Sequence, residues 1–336
     1  MKNIEHLLFN LVFLTGPDKV MNVDQFNDKL VNFDYGFTEA KPAKIKPQHL
    51  EDGASFHQSG AQMWSLAVIT PLILGPYIDY EDEMWKNFIL LLEISSLICA
   101  HQISFEMLDL LSYDIENYLA SFQSIYNLHL SRKQHYLVHY PLYITLYGPL
   151  YSYNTLRMEG KHQFFKAAMR KIRNYKNPSV SMTNHYVLNQ VYEDLQSEKV
   201  ELPVVRNIEI NNLEFKDTIL KMFPSTEKLK NLSYIYANEK KYVPKKCFIM
   251  VDYKDTEPIF GFVYDIVQMS DKNFFFVYKN VQTLELNLHF NAYEIIVKPE
   301  FKLIATKELL INDIFHAHEV NGKTYIIVKR SIGNLF

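Results

Sequence analysis

At Pro244 the spacing of the apolar residues changes period, and that change fixes which kinds of fold the two parts of the chain can form. Upstream, from residue 1 to about 200, apolar positions recur at helical spacing, interrupted at Gly16-Pro17, Pro42 to Pro47, Pro71, Gly75-Pro76, Pro141, Gly148-Pro149 and Pro178. Downstream the period falls to two. KCFIMVDY, IFGFVYDIVQM, NFFFVYKNV and TYIIVKRS are rich in β-branched and aromatic residues, and Asn321-Gly322 between HAHEV and KTYIIVK is a strong hairpin signal. The expected class is α+β: a mostly helical region over 1–200, a helical and charged connector over 201–243, and a small β-barrel or rolled sheet over 244–336.

Within the helical part, residues 83–99 are apolar nearly all round, as a central helix should be, while 103–127 set Met107, Leu108, Leu111 and Leu119 among acidic neighbours. Residues 42–60 have little periodicity and read as a connector. The 336 residues are enough for a substantial core, and 23 Tyr with 23 Phe disfavour intrinsic disorder. Cys99 and Cys247 stand far apart in apolar runs, which suits buried free thiols in a reducing, intracellular compartment. The runs 61–78 and 87–100 contain Pro71, Gly75, Pro76 and Glu93 and read as core helices, so no membrane span and no secretory leader are expected.

The formal net charge is −3, so any affinity for nucleic acid must come from a local patch. Phosphate-cradle, zinc and nucleophile-elbow motifs are absent: no GxxxxGK[ST], GxGxxG, CxxC pair, HExxH or GxSxG occurs. His135 and His139 share a helical spacing but lack a third ligand nearby, which favours a structural role over zinc. Tyr136, Tyr140, Tyr143, Tyr147, Tyr151 and Tyr153 read as core-edge rings before they read as base-stacking ones.

One segment concentrates positive charge. In TLRMEGKHQFFKAAMRKIRNYKN (155–177) Glu159 is the one acidic residue among seven basic ones, Arg157, Lys161, Lys166, Arg170, Lys171, Arg173 and Lys176. On a helix, Glu159, His162, Lys166, Arg170 and Arg173 fall within an arc of roughly 80°, beside an apolar side of Phe165, Ala168, Met169 and Ile172. Two readings fit this pattern. A solvated face with Glu159 paired to Lys166 or an Arg is what spacing alone favours. The other is a metal-holding carboxylate whose neighbouring cations neutralise a nucleic-acid backbone, which would need further carboxylates.

The order of motifs adds to this. FDYGFTEAKPAKI (33–45), SGAQMWSLAVITPLILG (59–75), DYEDEMWKNFILLLEISSLICA (79–100), RKQHYLVHYPLYITLYGPL (132–150) and LRMEGKHQFFKAAMRKIRNYKN (156–177) resemble the C-terminal half of CACTA-related, DDE-type transposase-like proteins of cut-and-paste DNA transposons. The resemblance implies an RNase H-like core with a helical insertion over 33–150. It implies that Glu159 occupies the place of the final catalytic Glu, with Lys161, His162 and Lys166 as motif basics. The Asp-bearing strands would lie upstream of the insertion, so a truncated or domesticated product without a complete catalytic set is expected, and strand cleavage by the isolated chain is not. Metal binding would involve Glu159 only with added carboxylates. No cofactor is expected for the isolated chain, Mg²⁺ belonging to the ancestral activity. The expected partners are DNA, through Arg157, Lys161, His162, Lys166, Arg170, Lys171 and Arg173, or a protein partner or oligomer in a scaffold role, with no membrane. An intracellular location is expected, with the nucleus the compartment for DNA binding.

Overall fold

The computed structural model describes residues 20–46, 49, 58–153, 156–173, 176–196, 203–237, 240–254, 257–270 and 273–329. Its helices are α1 (Val23–Asn32), α2 (Gly60–Leu74), α3 (Glu83–Ile98), α4 (Phe105–Tyr126), α5 (Arg132–His135), α6 (Tyr140–Tyr147), α7 (Leu156–Ile172) and α8 (Pro178–Gln196), with α9 (Lys216–Met222) inside the sheet region. Short polar side chains start each of the first five. Asn22 with Gln25, Ser59 with Gln62 and Ser131 with Gln134 form reciprocal capping boxes, while Asp82 and Ser104 accept from Trp85 N–H and Met107 N–H. Each satisfies amide groups that the first turn leaves without helical partners.

The strands are β1 (Val205–Glu209), β2 (Lys228–Leu232), β3 (Ile235–Ala237), β4 (Lys240–Tyr242), β5 (Phe248–Lys254), β6 (Glu257–Ser270), β7 (Asn273–Asn287), β8 (Ala292–Ala305), β9 (Ile311–Phe315), β10 (Ala317–Val320) and β11 (Lys323–Ile326). The main sheet runs β1-β2-β6-β7-β8-β11-β10, with β5 and then β9 branching from β6, and every pair is antiparallel. The expected barrel is therefore corrected to an open sheet with no closure among the described residues. The cause is β6, which is long enough to pair with β5 along one part and β2 along another, so the strand path forks instead of returning. The β10–β11 turn is the one its sequence specifies: Asn321 and Gly322 both have positive φ, 51° and 75°.

Residues 201–243, expected as a connector, supply in their described part β1, β2, the β3–β4 ribbon and only one short helix. Their lysines alternate with core residues: Lys228 and Lys230 are exposed while Leu229 and Leu232 are buried. Leu229 and Leu232 enter two different clusters from opposite faces, and the exposed charge of Lys228 and Lys230 masks the strand period.

Helices and sheet share one core. Leu66, Ile69, Leu72, Leu74, Trp85 and Phe88 pack in the same buried cluster as Phe290, Ala292, Val320, Tyr325 and Ile327 of the sheet. A second cluster joins α3, α4 and α6 through Ile94, Leu111, Ile115, Tyr118, Phe122 and Ile144. Of the two cysteines, neither of which is in a disulfide, Cys247 is buried and Cys99 half-buried. Among the described residues no helix is long and apolar enough to cross a membrane.

The loop after α1 is clamped to β10 and its approach by two histidines. His318 stacks on Phe33 at 4.9 Å and its Nδ1 donates to the Asp34 carbonyl at 3.1 Å, while His316 Nε2 lies 2.8 Å from Thr38 Oγ1. Gly36 sits between them at φ +67°, where an added Cβ would fall 2.3 Å from the His316 ring. Gly36→Ala thus meets both a backbone and a steric penalty, and is expected to destabilise the fold by about 2 kcal/mol or more in denaturant titration.

Burial pushes the His318 imidazole down to about 4, reinforced by Lys329 and His316, and lowers His316 for the same first reason. Because an unfolded histidine titrates near 6.5, the unfolded chain binds more protons between about 4 and 6.5, and stability falls as pH is lowered through that window. The His318 contribution is at most about 3 kcal/mol. Unfolding midpoints measured from pH 7 to 4 should drop, and His318→Gln should flatten the dependence.

Candidate nucleic-acid interface

In α7 the charged and apolar sides separate as the helical period requires. His162, Lys166, Arg170, Lys171 and Arg173 are exposed, whereas Phe165, Ala168, Met169 and Ile172 are half-buried. The helix ends when Arg173 takes a left-handed conformation, φ 52°, with its N–H donating to the Met169 carbonyl at 3.0 Å. Lys166, Arg170, Lys171 and Arg173 have no carboxylate within ion-pair distance among the described residues.

The apolar side of α7 meets α8. Phe164 and Phe165 lie 6.5 and 5.7 Å from the Tyr186 ring, and no described side chain of either helix is fully buried. Thus the two helices form a hairpin held by a half-buried aromatic seam. A further set of apolar residues faces outward: along α8 Val187, Leu188, Val191, Tyr192 and Leu195 form a stripe at i, i+1, i+4, i+5 and i+8, with Leu188 66% and Leu195 72% exposed.

Immediately before α7 runs an aromatic ladder that the sequence reading placed at the core edge. Except for Tyr140, which is half-buried, the tyrosines instead face solvent: Tyr147 and Tyr153 are 61% and 60% exposed, and His139, Tyr143, Tyr147 and Tyr153 follow one another at ring separations of 6.1, 6.4 and 6.5 Å. The regular i+4 spacing from His139 to Tyr147 was the available signal. It shows that the rings share a face but not whether that face is covered.

Glu159, with Arg157 and Lys161, belongs to the α7 backbone, but these side chains lie outside the described residues, so the carboxylate assigned by resemblance has no geometry to report. Among the described residues no group of three or more His, Cys, Asp or Glu could hold a metal ion. His135 and His139 lie edge to face with ring centroids 5.2 Å apart.

No family model, curated protein or solved structure matches the chain.

Because the hairpin is seated chiefly by its seam, Tyr186→Ala should open it without unfolding the rest. Limited proteolysis at the lysines and arginines of 161–176 is expected to quicken several-fold, while the main unfolding midpoint shifts by less than the equivalent of about 1 kcal/mol.

Proposed function

We propose that the chain is a transposase-derived nucleic-acid-binding protein that contacts the phosphate backbone through α7 and carries out no strand chemistry by itself. The observation that carries this reading is the exposed row of Lys166, Arg170, Lys171 and Arg173 without carboxylate partners among the described residues. Long flexible cations on one helix face neutralise phosphates and release counterions, which makes binding strong at low salt and weakly sequence-specific. The solvent-facing tyrosines leading into α7 add a surface on which unpaired bases can stack. DNA in the nucleus is the ligand and compartment consistent with the transposon resemblance of 33–177.

The ancestry assigned by resemblance gives α2 to α6, within 33–150, the role of a helical insertion and Glu159 that of a surviving third carboxylate. Phosphoryl transfer with two metal ions needs several converging carboxylates, and the resemblance assigns this chain one. Mg²⁺ is accordingly not part of the proposed binding.

The competing reading is a protein-interaction scaffold, and the exposed apolar stripe of α8 favours it, since contiguous apolar surface of a few hundred Å² marks association sites. Salt-titrated binding to a short duplex separates the two. For the intact protein log K should fall steeply with log salt, with or without Mg²⁺, and Lys166→Ala/Arg170→Ala/Arg173→Ala should reduce the slope by about 2 to 3, near 0.9 per lost phosphate contact. An unchanged slope, or no binding at low salt, would leave the scaffold reading.

A further inference from the structure

A cavity of about 360 Å³ opens beside the β1–β2–β6 part of the sheet, lined by Val204, Arg206, Asn231, Leu232, Ser233, Pro244, Lys245, Tyr264 and Asp265. Its polar groups come from four separate places in the chain: β1, β2, the turn after β4, and β6. A bulge in β6 between Val263 and Asp265 assembles them. Val263 and Ile266 both enter the core on one face, so the extra residue leaves Tyr264 and Asp265 together on the other.

Asp265 is held but not saturated. Its Oδ1 accepts from the Ile266 N–H at 2.9 Å and from the Asn231 amide, while its Oδ2 has no hydrogen-bond partner among the described residues. Burial raises the pKa of this carboxyl, with the two hydrogen bonds and Lys245 opposing the rise. The cations are held differently. Lys245, in a left-handed turn at φ 61°, places its ammonium 4.6 Å from the Tyr264 ring centroid, and the Lys279 ammonium lies 5.0 Å from the same ring. A π face orients a cation without cancelling its charge. Arg206 is exposed and makes no ion pair or side-chain hydrogen bond among the described residues.

The ligand that fits must bring an anion for Arg206 and Lys245, an N–H donor for Asp265 Oδ2, and a flat apolar portion for the Val204, Leu232 and Pro244 wall. A simple anion meets the first need only and is repelled by Asp265. We propose that this cavity binds one nucleotide unit, its phosphate between Arg206 and Lys245 and an N–H edge of its base on Asp265. The volume is that of a small-ligand pocket and suits a single unit. The inference does not rest on α7, which contributes no residue to the cavity.

Ligand-observed NMR on the full chain, with nucleoside 5′-monophosphates, the matching nucleosides, inorganic phosphate and a short single-stranded oligonucleotide, tests it. The monophosphates should bind at least about tenfold more tightly than nucleoside or phosphate, and Arg206→Gln/Lys245→Asn should remove about tenfold or more of that affinity. Both positions are exposed, and Asn suits the left-handed backbone at 245, so the fold should survive. Asp265→Asn should act in opposite directions, weakening nucleotide while strengthening inorganic phosphate. Measured on the Lys166→Ala/Arg170→Ala/Arg173→Ala protein, where α7 no longer contributes, an oligonucleotide binding more tightly than its monomer assigns the site to a strand, and equal affinity assigns it to free nucleotide. Lys166→Ala/Arg170→Ala/Arg173→Ala should leave monophosphate binding unchanged, so failure of the α7 reading and failure of this one are distinguishable. Nucleotide bound no more tightly than phosphate, or bound equally well by the Arg206/Lys245 variant, would overturn the proposal.

Discussion

The indole N–H of Trp85 donates to the His289 carbonyl at 3.1 Å, and the ring of that histidine donates through Nε2 to the Gly75 carbonyl at 2.9 Å. These reciprocal bonds join the end of α2 and the start of α3 to the β7–β8 turn inside a buried apolar cluster. The His289 carbonyl would otherwise be dry and without this donor, at a cost of order 1–3 kcal/mol, whereas the Gly75 carbonyl also accepts from the Ile78 N–H at 3.3 Å. Gly75 is required by the closeness of the approach: a Cβ there would lie 2.5 Å from the Phe290 ring. Around this joint the sheet completes a core that the first helices cannot close by themselves.

That arrangement divides the molecule into a core-building part and a peripheral part. Helices α1 to α3 and strands β8, β10 and β11 are tied together by the joint and by the histidine clamp on the loop after α1. Helices α7 and α8 have no fully buried described side chain, so the stability of the hairpin depends on its seam and on whatever it binds. The peripheral position also explains how a chain of net charge −3 can carry a basic surface, because the cations of α7 are set apart from the acidic residues that dominate the total.

The change of period at Pro244, the Asn321-Gly322 turn and the two sides of α7 were legible in the sequence, because each depends on spacing within one element. The strands of 205–242 were not, since the exposed lysines of β2, a strand paired on both sides, resemble those of a solvated helix. The open form of the sheet was hidden for another reason: it depends on β6 pairing with two strands at once. The joint was equally invisible, as Trp85 and His289 are 204 residues apart. So was the cavity, whose members meet only through strand register and a bulge. Exposure of the tyrosines follows from what does not cover them, which no local pattern encodes.

The placement of α7 bears on which chemistry this helix can support. Metal-dependent phosphoryl transfer requires its ligands to be held within about 0.5 Å by a packed surround. A helix with a half-buried seam and a solvent-facing charged side does not supply that surround through its described residues. Phosphate neutralisation makes a weaker demand. A lysine or arginine reaches a phosphate from many rotamers, and the free energy comes largely from released counterions, so a loosely seated helix loses little. A peripheral basic hairpin can therefore neutralise phosphates without the geometry that catalysis needs.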